Sequence, residues 1–193
     1  GLRPDVIDAG AEPGAYRLIF TPMLMSLDEE NLAARMADWV RAGGTWVVGP
    51  LTDVRNADGA RYRDRGYGML EALTGAQLRY FAPDTENRIQ AGWEDGTAFH
   101  GGTWFEMLDC GKNESLARVT RGHSAIEGLS VLARARVGKG CVILLGTVPD
   151  ATAVKKIARI ACAESGVSIP EVEGEIIVSP RSGEAGEGIM LVE

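Results

Sequence analysis

The stretch Tyr16–Pro50, YRLIFTPMLMSLDEENLAARMADWVRAGGTWVVGP, decides the fold. It reads as strand, turn, helix, strand: Tyr16 to Thr21 is apolar and β-prone, Pro22 to Met25 turns the chain, Ser26 to Ala42 has helical periodicity, and Thr45 to Val48 is β-prone again. Ser26 followed three residues later by Glu29 has the form of a capping box, and Asp28, Glu29 and Glu30 put negative charge on a first turn, where free amides favour it. Leu32, Ala33, Met36, Trp39 and Val40 recur on one helical face, with Asn31, Arg35, Asp38 and Arg41 on the face toward water. That spacing predicts Met36 and Trp39 packed against a sheet. Gly43 stands where a helix end commonly needs positive φ. Two strands joined by a single helix cannot form a hairpin, so the unit is a right-handed βαβ with parallel strands.

Outward from this unit, Asp5-Val6-Ile7-Asp8 reads as a short strand followed by the loop Ala9 to Ala15, which carries Gly10, Pro13 and Gly14. Leu51 to Arg65 is polar, mixes charges without periodicity and reads as a surface excursion; its arginines bind an anion only if they converge. Gly66 to Thr74 is a short helix with Met69, Leu70 and Leu73 inward, and Gln77 to Phe81 is a strand. Gly66-Tyr67-Gly68 hints at a phosphate-binding turn, but the dinucleotide spacing fails at Glu71 and no P-loop Lys-Ser/Thr pair follows. From Ala82 to Gly128 glycines and Pro83 interrupt short apolar pieces, and Trp104 to Leu108 reads as a helical turn. Leu129 to Val137 alternates, with Val131, Ala133, Ala135 and Val137 on one face and Arg134 and Arg136 on the other. Cys141 to Leu145 is a continuous apolar run, the mark of a strand covered on both faces. A helix from Ala151 to Glu164 follows, with Val154, Ile157, Ala158 and Ala161 inward, and Glu175–Ser179 with Gly188–Val192 reads as a closing hairpin.

The chain's 193 residues, 45% of them hydrophobic, are enough for one substantial core. A net charge of −7 argues against broad nucleic-acid or anionic-membrane binding, which needs basic surface. No apolar run approaches the length that spans a bilayer and the first residues lack a signal pattern, so the expected location is the cytoplasm. Cys110, Cys141 and Cys162 are odd in number and widely spaced, and read as reduced thiols.

Chemistry is sparse. A βαβ core invites a glutamine-amidotransferase-type Cys-His site at the turn after a central strand. That turn reads Thr21-Pro22-Met23-Leu24-Met25 without a cysteine, Ser26 is committed to the cap, and Pro22 removes a backbone donor that an oxyanion hole would use. His100 and His123, with Asp109, Cys110 and Glu127 near them in sequence, lack any short metal-ligand spacing. Asp28 to Glu30 belong to a helix start and Glu94-Asp95 to a glycine-rich turn, so neither set reads as paired catalytic carboxylates. Trp39, Trp46, Trp93 and Trp104 fit core packing better than a sugar-stacking platform. No catalytic, cofactor-binding or metal-binding residue is assigned, and no cofactor is expected.

The order of the pieces carries a resemblance. Tyr-x-Leu-Ile-x-x-Pro with Met-Leu-Met after it, then Leu-x-x-x-Asn-Leu-x-x-x-Met-x-x-Trp-Val-x-Ala-Gly-Gly-Thr, a strand ending in Gly49-Pro50, and Gly138-Lys139-Gly140 to Thr147 with Pro149-Asp150 resemble the middle domain of glycoside hydrolase family 42 β-galactosidases. The resemblance implies an α/β, flavodoxin-like, class I glutamine-amidotransferase-like domain, with a mostly parallel sheet flanked by helices. It further implies that the domain lacks the amidotransferase site and serves trimerisation, a homo-oligomer being the expected partner beside the catalytic barrel of the parent enzyme. The family's two catalytic glutamates lie in a preceding (β/α)8 barrel with no counterpart in this sequence. Residues 1–170 match the trimerisation domain and 171–193 the start of a small C-terminal β domain or a closing hairpin. The family's first strand-helix unit is absent, which leaves a central slot in the sheet. The expectation is that this slot is closed, by Val6-Ile7 pairing with Leu18-Ile19, by another strand of the chain, or by a partner. The alternative reading is a free-standing amidotransferase-like enzyme or small-molecule-binding module.

Overall fold

A computed structural model describes residues 4–169, 177–183 and 186–192. The central βαβ unit is present: β1 (Leu18–Thr21), helix α1 (Leu32–Ala42) and β2 (Thr45–Val48), with β1 and β2 parallel and Leu18 opposite Thr45. After α2 (Met69–Thr74) come β3 (Gln77–Pro83), β4 (Gln90–Trp93), β5 (Ala98–Asp109), β6 (Glu114–Arg121), β7 (Ser130–Val137), β8 (Gly140–Leu145), β9 (Thr147–Pro149) and helix α3 (Ala151–Ser165). The first nine strands form one sheet in the order β1-β2-β8-β7-β6-β4-β5-β3, with β9 on β5. Only β1, β2 and β8 run parallel; every other pairing is antiparallel. The sheet is therefore mixed rather than mostly parallel. A separate hairpin, β10 (Ile177–Gly183) with β11 (Gly186–Val192), realises the predicted closing pair with longer strands.

The two central parallel strands bury both faces, which is why their sequences are continuously apolar. Trp46, Val48, Val142 and Leu144 pack with Met36, Trp39 and Val40 of α1, while Val47, Ile143 and Leu145 pack with Ile157 and Ala161 of α3. Met36 and Trp39 are buried as their spacing requires, and the Trp39 indole donates to the Tyr16 carbonyl at 3.0 Å. Gly43 adopts φ 131° at the helix end. The next residue is glycine for a steric reason, since a Cβ on Gly44 would lie 2.3 Å from the Trp39 ring. The register of α3 differs slightly from expectation: Ala153, Ile157 and Ala161 face inward at four-residue spacing, and Val154 is 48% exposed.

The helix start also differs. A 3-10 turn, Glu29–Asn31, precedes α1, Asn31 is left-handed at φ 57°, and the Ser26 hydroxyl accepts from the Asp28 amide at 3.3 Å, so no capping box forms. Burial of Leu27 explains this, because it bends the entry so that the Leu27 carbonyl accepts from Ala33, and Asn31 tolerates the left-handed turn that results. Arg35 does not point to water. Its guanidinium donates to the carbonyls of Ala9, Gly10 and Ala11, stapling the first loop to α1.

That staple overturns the expected pairing of Val6-Ile7 with Leu18-Ile19. Asp5 to Asp8 form no strand, Val6 is fully exposed, and among the described residues β1 pairs with β2 alone. Beside β1 lies a groove of about 260 Å³ lined by Ile7 and Pro13 of the held first segment, Ile19 and Phe20 of β1, and Leu32 and Met36 of α1. The region from Ala82 to Gly128, expected to be irregular with a helical turn at Trp104–Leu108, instead supplies β4, β5 and β6. Phe105, Met107 and Leu108 are buried in β5, where partners on both sides favour the strand over an isolated turn.

Removing the Trp39 side chain takes a large buried ring out of the core between α1 and the sheet. Trp39→Ala is expected to cost about 3 to 5 kcal/mol, measured as a fall in the urea midpoint at unchanged slope.

Candidate functional site

In open α/β sheets ligands bind beyond the carboxyl ends of the parallel strands, so the loops after β1 and β2 are where chemistry belongs if the chain has any. The loop after β2 becomes the surface excursion its composition predicts only after a buried start: residues 57–60 and 63–65 are exposed. Thr52, Asp53 and Val54 are buried, and Leu51 and Asp53 adopt left-handed φ of 61° and 59°. Such values are costly for residues other than glycine and persist only where surrounding contacts enforce them.

Two buried carboxylates do the enforcing. Glu106 of β5 is 1% exposed; its Oε1 accepts from the Leu51 amide at 3.0 Å and the Trp104 indole at 3.3 Å, and its Oε2 from the Tyr67 hydroxyl at 3.0 Å. Asp53 accepts from the Leu70 amide at 2.7 Å, its carbonyl accepts from Gly68, and its amide donates to Leu24. The Gly66-Tyr67-Gly68 turn thus holds no open anion site, because the chain's own Asp53 carboxylate occupies the start of α2. Thr52 ties the two loops together by accepting from the Leu24 amide at 3.2 Å, and Arg55 donates from its backbone to Met25.

Burial pushes both carboxyls up, Asp53 to about 6 against an opposing pull from the Leu70 amide, and Glu106 above its ordinary value despite its hydrogen bonds. Burial, and then the adjacent Glu106 charge, also raise the Tyr67 phenol. Neither carboxylate has an ion-pair partner among the described residues.

The other residues that attracted attention in sequence do not converge. His100 lies exposed on β5, its amide donating to Asp150, and His123 lies exposed in the turn after β6, where its Nδ1 accepts from Ala125. Among the described residues no group of three or more His, Cys, Asp or Glu is placed to hold a metal ion. The three cysteines are free thiols. Thr21 accepts from the Trp46 indole at 2.8 Å, so the turn after β1 keeps no idle hydroxyl there. Trp39, Trp46 and Trp93 are buried, and half-buried Trp104 stacks on Phe81 at 5.4 Å. The arginines disperse: Arg55 donates to Gly59, Arg61 lies 4.3 Å over the Phe81 ring, and Arg65 lies over Tyr62. The buried carboxylate pins carry no sequence motif. The one available signal was the acidic residue inside the apolar run Trp104-Phe105-Glu106-Met107-Leu108.

Because Asp53 binds its proton more tightly folded than unfolded, its contribution to stability falls as pH rises from about 4 to above 6. The upper bound is about 3 kcal/mol. Asp53→Asn, which keeps an acceptor for Leu70, should therefore gain stability relative to the parent chain as pH rises through that window. Paired urea denaturation at pH 4.5 and pH 7.5 checks this; an unchanged difference between the two proteins refutes it.

Comparison with known proteins places this geometry. The family model described as the β-galactosidase trimerisation domain matches residues 1–168. The β-galactosidase YesZ of Bacillus subtilis is 31% identical over 191 residues, covering 96% of this chain and 28% of that protein. The crystal structure of the β-galactosidase from Bacillus circulans sp. alkalophilus superposes with a TM-score of 0.82 at 19% identity, over 92% of this chain and 27% of that one. The β-galactosidase of the Antarctic haloarchaeon Halorubrum lacusprofundi gives 0.79 at 24% identity, over 86% and 25%. The chain thus spans little more than a quarter of the relatives' length. With strand ends filled by its own carboxylates and a family model matching most of its length, the chain belongs to the β-galactosidase trimerisation domain family.

Proposed function

We propose that this chain is the non-catalytic assembly domain of a cytoplasmic β-galactosidase, forming a homotrimer and carrying a catalytic barrel that hydrolyses terminal β-D-galactosides. The observation that supports this reading most is the state of the strand ends. The position where an α/β enzyme holds its substrate is packed with Leu51, Tyr67 and Trp104 around Glu106, and the carboxylate oxygens there are taken by donors of the same chain. No catalytic, cofactor or metal residue is assigned to the chain on this reading. The described helices include none long and apolar enough to cross a membrane.

The finer architecture follows the same reading. Residues 1–170 are assigned to a flavodoxin-like, amidotransferase-like unit, and 171–193 to the start of a small C-terminal β domain or a closing hairpin. In a 2-1-3-4-5 strand order the first strand lies between the second and third. The groove beside β1 is lined by Ile7 of the first segment and by Ile19 and Phe20 of β1, the location such a strand requires. A strand from elsewhere in the parent polypeptide or from a partner closes it on this reading.

Hydrolysis at a glycosidic bond needs an acid/base and a second carboxylate flanking an open sugar site. The purified chain should therefore release no nitrophenol from an aryl β-galactoside above the buffer rate, while sedimentation velocity shows a species of three chains. Turnover that disappears on mutating a residue of this chain would sink the proposal.

A further inference from the structure

We infer that the outer edge of β3, with the aromatic and cationic side chains around it, is a surface on which a second copy of this chain docks. The inference rests on the reading of the chain as an assembly domain and adds which surface assembles. Strand β3 is terminal in the sheet and pairs only with β5 among the described residues, so seven residues of backbone present an unpaired edge. Natural proteins guard such edges with charges, bulges or cover, because they template pairing with another chain. The guards here are slight. Arg79 is committed to Asp109 at 2.9 Å, a bulge lies between Leu78 and Tyr80, and Pro83 stands only at the end.

What the edge displays is the composition of an interface centre. Tyr80 and Phe81 are 50% and 49% exposed. Phe81 stacks on Trp104 at 5.4 Å, the Arg61 guanidinium lies 4.3 Å over the Phe81 ring, and Trp104 is fixed in turn by its bond to Glu106. Tyrosine, tryptophan and arginine dominate binding hot spots, and a cluster already ordered loses little rotamer freedom on docking.

Charge selects the copy. Arg61 makes no ion pair among the described residues, whereas the chain as a whole carries −7, and Asp8, also without an ion pair there, lines the groove beside β1 at the other end of the strand order. A closed ring of three identical chains is heterologous: each contributes two different surfaces, so the aromatic edge with its unpaired Arg61 meets an unlike surface of an acidic copy.

The test is sedimentation equilibrium of the whole chain, with Tyr80→Lys and Arg61→Glu as variants and Val154→Lys, an exposed apolar position on α3, as the control. Melting temperature monitors folding in each. Both β3-edge variants should stay folded and weaken association at least ~10-fold, the effect expected of a hot-spot residue, while Val154→Lys leaves it unchanged. Association of the parent chain should also weaken as salt is raised from 0.05 to 0.5 M, each value being about the range over which exposed charge pairs become screened. Trimers that survive both β3-edge substitutions, or that dissociate equally with Val154→Lys, overturn the assignment of this edge while leaving the assembly reading intact. A parent chain that is monomeric throughout overturns both.

Discussion

The structure depends on Glu106 being in two places at once. Its backbone belongs to β5 in the antiparallel half of the sheet, where its amide donates to Gly146 at 2.6 Å. Its side chain reaches the loop after β2 in the parallel half and accepts from Leu51. Gly146 lies between β8 and β9, where the chain leaves β7 and crosses to β5; a Cβ there would sit 2.0 Å from the Glu106 carbonyl. Only glycine permits that approach. One residue thus couples the crossover of the last strands to the conformation of the strand-end loops.

The left-handed turns at Leu51 and Asp53 follow from this coupling. Left alone, each residue would relax toward ordinary φ, but the Leu51 amide is aimed at Glu106 and the Asp53 backbone is bonded at both its amide and its carbonyl. Satisfied hydrogen bonds in a buried setting outweigh a strain of order 1 to 3 kcal/mol per residue. Leaving the donors of Leu51, Tyr67 and Trp104 without Glu106 would cost more than the strain itself, because an orphaned buried donor bears its full desolvation penalty.

How much of this the sequence reveals depends on whether a residue's partner is local. Trp39, Met36 and Val40 are read correctly because helical periodicity reports a face, and Cys141 to Leu145 because a run apolar at every position requires cover on both sides. The start of α1 is misread because the capping pattern at Ser26 and Glu29 competes with burial of Leu27, a term set by the neighbouring core rather than by the turn. The start of the polar stretch after Pro50 is misread for the same kind of reason. Thr52 and Asp53 look like surface residues until Leu24 and Leu70 supply their hydrogen-bond partners from distant segments. Strands β4 and β5 escape notice because Gly92, Gly101 and Gly102 break their periodicity, and β6 because, unlike the local β4–β5 hairpin, its pairings with β4 and β7 join segments distant in sequence.

The absence of recognisable catalytic spacing and the packing of the strand ends are two aspects of one physical state. A site that binds and releases a ligand must keep polar groups whose partners are exchangeable. Around Glu106 each oxygen instead has a fixed donor, and the buried side-chain atoms that lack a partner among the described residues are Arg35 Nε and Glu71 Oε2, neither of them in that cluster. A fully satisfied buried network resists rearrangement, since any shift exposes several unpaired groups together. The same rigidity fixes Trp104, and through it Phe81 and Arg61, at the sheet's outer edge. The same three hydrogen bonds that satisfy Glu106 therefore hold the strand-end loop and the Trp104 ring in one arrangement.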